Sequence, residues 1–104
     1  MNLPLAPGYA SSAQWRKVIS EKLIPRLVDF RPDIILISAG FDAHIRDPLA
    51  SINLESSDYF KITKKIVDLA NIHSKGRVIS FFEGGYDLKA LSESIKEHIK
   101  ALKI

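Results

Sequence analysis

Asp42, His44 and Asp47 sit close together just after the small residues Ser38, Ala39 and Gly40. Two carboxylates and an imidazole so spaced suit cation binding or the fixing of a turn. Asp42-Ala43-His44 has the form of an Asp-x-His chelate. A carboxylate at Asp42 either accepts backbone N–H groups in a turn or is offered to a ligand, and residue type alone leaves both open. Further on, Tyr86 follows Glu83-Gly84-Gly85 and precedes Asp87. Paired glycines let the backbone turn sharply and set a phenol on a rim. Tyrosine is more often a packing residue, so by type alone Tyr86 belongs against the adjoining helix.

Both groups follow apolar runs. Ile34 to Ile37 is an unbroken aliphatic stretch, the pattern of a parallel strand covered by helices on both faces. Arg77 to Phe82 forms a second strand. In open α/β sheets ligands bind beyond the carboxyl ends of the strands, which is where both polar groups fall.

The remaining elements place these strands in an α-β-α-β-α order. Met1 to Ala10 is a loop by its Pro4, Pro7 and Gly8, and Ser11 or Ser12 caps a helix, with Gln14 at capping-box distance from Ser11. Trp15, Ile19, Leu23 and Leu27 give that helix an apolar face as far as about Phe30. Pro25 lies inside it and predicts a bend around Glu21 to Pro25 or an end to regular structure there. Gly40 to Glu55 is a long loop, a length that is often functional. Ser56 or Ser57 is the expected cap of a second helix carrying Tyr59, Ile62, Ile66 and Leu69 inward. Leu88, Leu91, Ile95, Ile99 and Leu102 mark the seam of a last helix, for which Asp87 is the expected cap. His73 and His98 fall on helix surfaces or ends. A sheet of two parallel strands leaves both edges unpaired, so the segment is expected to be part of a larger α/β domain, to need a partner chain or to self-associate.

Composition narrows the function classes. The 104 residues are 46% hydrophobic, the size and make-up of one small folded unit. No apolar run approaches a membrane span and no signal peptide is evident, so neither membrane insertion nor export is expected, and the cytoplasm is the default location. There is no cysteine, so a metal would need oxygen and nitrogen ligands. The formal charge of +3 comes from 15 basic and 12 acidic residues with no block of one sign, which gives nucleic-acid binding little support.

Ser38-Ala39-Gly40-Phe41-Asp42-Ala43-His44, then Asp47-Pro48-Leu49, then Glu83-Gly84-Gly85-Tyr86-Asp87 closely resemble the zinc-dependent histone deacetylase family with its acetylpolyamine and acetoin-utilisation relatives. Asn2-Leu3-Pro4-Leu5 and Arg31-Pro32-Asp33 extend the resemblance over nearly the whole chain, which corresponds to roughly the last third of such an enzyme. It implies part of a three-layer arginase/deacetylase-like α/β fold over residues 1–104, with two of the parallel strands present. By the same resemblance, Asp42 is one of three protein ligands of a catalytic Zn2+, Tyr86 donates to the oxyanion formed from an acetamide, and Gly84 and Gly85 line the acyl pocket. The family draws its zinc histidine from an earlier strand, so His44 stays outside the metal shell as a loop histidine bonded to backbone or carboxylate. Asp47-Pro48 is expected to fix the loop. Local departures from the family pattern are Ile45-Arg46 and Ala50.

The family's other two zinc ligands and its paired histidines have no counterpart here. The resemblance thus implies an amidohydrolase portion that acts on an acetylated amine, acetyl-lysine or acetylpolyamine, when completed by the amino-terminal portion. The alternative is a truncated remnant or an interaction module that pairs through open sheet edges.

Overall fold

Two short parallel strands carry all the described helices on one side, in a computed structural model that describes residues 1–5, 12–49 and 51–103. Pro7, Gly8, Ser11 and Ala50 lie outside the described residues. Helix α1 (Ser12–Val18) passes through a π-helical turn (Ile19–Leu23) into α2 (Ile24–Phe30). The widened turn falls where the proline predicts a bend: Pro25 has no N–H to give, and the Ile24 N–H reaches back to the Ile19 carbonyl instead. Arg31, in a left-handed conformation with φ 52°, closes α2 through its N–H to the Leu27 carbonyl.

Strand β1 (Ile35–Ala39) pairs in parallel with β2 (Val78–Phe82), Ile35 opposite Val78 and Ala39 opposite Phe82. The connection between them is the Gly40 to Glu55 loop and α3 (Ser56–His73). Helix α4 (Leu88–Leu102) follows β2 and packs along α3. Ile35 is buried with Leu69 and Ala70 of α3, against Ile24 and Leu27 of α2. Ala39 and Phe41 join Leu54 and Tyr59 in a second cluster at the carboxyl end of the sheet, with Trp15, Leu91 and Ile95 around it.

Burial corrects the expectation of a strand covered on both faces. Along β1 it alternates, with Ile35 and Ala39 inside and Leu36 62% exposed. Ile79 and Phe81 of β2 share the bare face at 47% and 54% exposed. Period-two side-chain direction sends these residues away from the only helical layer among the described residues. Ile34 lies just outside β1 and is itself exposed.

Three finer expectations also change. The cap of α3 is Glu55, not Ser56 or Ser57: the Asp58 N–H donates to the Glu55 backbone carbonyl at 3.0 Å while the Asp58 carboxylate accepts the Glu55 N–H at 2.9 Å, the return bond of a capping box. The seam of α4 is lined by Ala90, Ser94, His98 and Ala101, while Leu88 and Ile99 are exposed. Small residues on that line let α4 approach closely, and Leu91 and Ile95 flank it. His98, expected on a surface, is buried: Nδ1 bonds Thr63 Oγ1 and Nε2 bonds Ser80 Oγ, both at 2.7 Å, so one imidazole joins α3, β2 and α4. Its edge meets the ring of Phe41, and burial lowers its pKa. No helix among the described residues is long and apolar enough to cross a membrane.

Candidate active site on the strand rim

The parallel ladder continues beyond both strands. The Glu83 N–H donates to the Ala39 carbonyl at 3.0 Å, and the Phe41 N–H to the Gly84 carbonyl at 2.8 Å. These bonds hold Gly40 to Asp42 alongside Glu83 and Gly84, although the two stretches are far apart in sequence. Phe41 turns inward onto Tyr59 and His98, which leaves its neighbour Asp42 on the rim.

The Asp42 carboxylate lies between two glycines. A methyl group added to Gly40 would come 3.1 Å from Asp42 Oδ1, and one added to Gly84 would come 3.2 Å from Oδ2 and 3.5 Å from the Tyr86 hydroxyl oxygen. Carboxylate and phenol thus bracket the space that a Gly84 side chain would fill. Gly85 turns the other way: at φ 143°, its absent side chain points at Leu91 Cδ1, 2.6 Å from where a Cβ would stand. Asp42 accepts no hydrogen bond among the described residues. The neighbouring carboxylates differ. Asp47 accepts the Leu49 and Tyr86 N–H groups, and Asp87, the expected cap of α4, accepts the Ala90 N–H at 2.8 Å.

His44 is buried and committed. The Arg46 N–H donates to its Nδ1 at 3.1 Å, which leaves the proton on Nε2 to be donated to Ser56 Oγ at 3.0 Å. Burial, then the Arg46 charge, lowers its pKa, against a smaller opposing pull from Glu93, Asp87 and Asp47. Ser56 Oγ donates in turn to Glu93 Oε2 at 3.3 Å, and Arg46 pairs with the same oxygen at 2.5 Å. The Arg46 guanidinium holds the Glu93 carboxyl below the usual carboxylate range. Arg46, one of the departures from the family pattern, thus ties the loop to α4. The loop itself folds back on a short bridge, with Leu54 N–H to the Ala43 carbonyl and Ile45 N–H to the Leu54 carbonyl.

Tyr59 stands behind the rim with a buried hydroxyl that lies near the Ala43 backbone and makes no well-formed hydrogen bond among the described residues. Burial first, then the Asp42 and Asp47 charges, push its pKa up, so it stays a neutral phenol. Its spacing marked it as a core residue, and nothing local indicated that its hydroxyl would end beneath the carboxylates. No group of three or more His, Cys, Asp or Glu side chains arranged for a metal occurs among the described residues. On this rim Asp42, and the exposed Glu83 beside it, have the donor type and the open coordination that a hard or borderline cation would use, and of the two Asp42 faces the Tyr86 hydroxyl across Gly84.

The profile of the histone deacetylase domain matches residues 1–102. The chain is 43% identical over 102 residues to "Histone deacetylase 14, chloroplastic" of Arabidopsis thaliana, covering 98% of this chain and 24% of the relative. It is 41% identical over 102 residues to "Type-2 histone deacetylase 1" of Dictyostelium discoideum, covering 98% of this chain and 7% of that protein. The crystal structure of the HDA15 HD domain superposes with a TM-score of 0.89 at 31% identity, over 98% of this chain and 28% of that one. The chain therefore spans about a quarter or less of the length of these two relatives. Its two strands and their helices are part of the arginase/deacetylase α/β fold. Sequence and fold agree over almost all of its length, and the chain belongs to the histone deacetylase family.

Proposed function

We propose that this chain is the carboxyl-terminal part of a zinc-dependent amidohydrolase that cleaves the C–N bond of an acetylated amine, acetyl-lysine or acetylpolyamine. Zinc, when bound, polarises the acetamide carbonyl and makes a water nucleophilic near neutral pH. Asp42 supplies one anionic oxygen to hold it. The Tyr86 hydroxyl donates to the carbonyl oxygen as that oxygen gains charge, an interaction strongest in the transition state. Gly84 leaves room between them for the acetyl group, and the Gly85 backbone continues that wall. The remaining ligands and the base for the attacking water come from another part of the domain, which docks on the bare face of Leu36, Ile79 and Phe81. The observation that carries the reading is Asp42, free of donors among the described residues and facing the Tyr86 hydroxyl across Gly84.

The test is reconstitution with a polypeptide carrying the other segments of the family domain. The mixture is expected to bind zinc by isothermal titration and to release acetate from an acetylated peptide. Asp42→Ala removes the zinc binding, whereas Tyr86→Phe keeps it and lowers kcat by about 10²- to 10³-fold. Zinc uptake indifferent to Asp42→Ala would refute the assignment. The bare apolar face also favours a second reading, a non-catalytic module that pairs with its own copy. That module would dimerise in sedimentation and show neither zinc binding nor turnover in the mixture.

A further inference from the structure

Asp47 is 9% exposed and both its carboxylate oxygens are engaged. Oδ1 accepts the Leu49 N–H at 2.9 Å, which closes a local turn. Oδ2 accepts the Tyr86 N–H at 2.9 Å, and this bond crosses from one rim loop to the other. A following Pro48 biases Asp47 toward extended backbone, and its carboxylate reaches across the gap. The recipient loop needs such a fixture. Tyr86 is 56% exposed, its hydroxyl has no partner among the described residues, and it follows Gly85 at a φ of 143° that few residue types adopt. With no bond to hold its hydroxyl, the phenol depends on its backbone for where its side chain starts, and Asp47 holds the N–H of that backbone.

We propose that Asp47 is the positioning residue of Tyr86: by gripping its N–H from the loop that carries Asp42, it keeps the phenol hydroxyl opposite the Asp42 carboxylate. This rests on Tyr86 being the oxyanion donor. Hydrogen bonds to an ionised carboxylate are the stronger kind, and small displacements of a catalytic group cost rate steeply. The loss on removing Asp47 falls on kcat, because the Tyr86 contact strengthens only in the transition state.

The test is a double-mutant cycle of Asp47→Ala and Tyr86→Phe in the reconstituted domain, with amide hydrogen exchange on the 104-residue chain. Asp47→Ala is expected to lower kcat by about 10- to 100-fold with KM and zinc affinity little changed. Asp47→Asn, which keeps shape and one acceptor, falls between it and the parent. Once Tyr86 is Phe, adding Asp47→Ala costs nothing more. Independent, multiplying losses would overturn the proposal while leaving Tyr86 as oxyanion donor; full activity in Tyr86→Phe alone would overturn both. Exchange at the Tyr86 N–H should quicken in Asp47→Ala and less in Asp47→Asn. Unchanged exchange there overturns the proposal whatever the turnover.

Discussion

Asp58 at the amino end of α3 and Asp42 at the exit of β1 are the same residue type in opposite circumstances. Asp58 is fully buried and accepts from the Glu55 N–H at 2.9 Å, from Arg16 at 3.1 Å and from the Ser12 hydroxyl. It ties α1 to the start of α3. Asp42 is only partly buried and accepts from no described residue, with glycines on either side where bonding groups would otherwise stand. A buried carboxylate is tolerable only when its lone pairs are taken up. One left open on a rim keeps its lone pairs accessible. The contrast separates carboxylates that build the fold from one that the fold presents.

The largest effect expected from breaking this contrast lies on the structural side. Asp58→Ala takes the acceptor from the Ser12 hydroxyl and the Glu55 N–H at once, while Arg16, whose side chain is 39% exposed, turns to solvent. Each buried donor left without its acceptor costs about 1–3 kcal/mol. Urea denaturation of the chain should show a midpoint far below the parent, with Asp58→Asn recovering part of the difference. A change under about 1 kcal/mol would mean that Asp58 is no more structural than a surface carboxylate.

A smaller effect comes from the buried histidines. His98 and His44 both have pKa values lowered below 6.5, chiefly by burial. Well above pH 6.5 the imidazoles are neutral in both folded and unfolded chains and contribute nothing to the pH dependence. As pH falls through 6.5, the unfolded chain takes up protons that the folded chain resists, so stability declines until the folded-state pKa values are passed. The melting temperature should therefore drop between about pH 7 and 5. His98→Gln and His44→Gln are each expected to lower stability at pH 8 and to flatten part of that slope. Equal slopes in the parent and both variants would mean that these imidazoles titrate freely.

The sequence carried the order of elements, the kink at Pro25, the cap at Asp87 and the placing of Asp42 and Tyr86 at strand ends, because all of these follow from local spacing. What it did not carry depends on partners far along the chain. The apolar run at Ile34 to Ile37 implied burial on both sides, but the cover for Leu36 is not among the described residues. His98 looked solvated because Thr63 and Ser80, which receive its two nitrogens, lie on other elements. Large aliphatics suggested one seam for α4, and close packing against α3 selected the line of Ala90, Ser94 and Ala101 beside it. Asp47 was legible as a loop-fixing group, but its second acceptor bond reaches Tyr86 across a gap that no local pattern records.

The smallest effect is the most telling about the rim. Asp42→Asn removes a charge that accepts nothing from the described residues, so no donor is stranded and no cavity opens. Substitutions away from buried networks usually stay within about 0.5 kcal/mol, and the chain should melt within about 2 °C of the parent. A clear loss of stability would mean that Asp42 fixes its own turn, as Asp47 does, and would remove the ground for treating it as a ligand. Near-neutral stability, set beside the large loss in Asp58→Ala, would mean that the fold gains nothing from the Asp42 charge. Its use would then lie in what it binds.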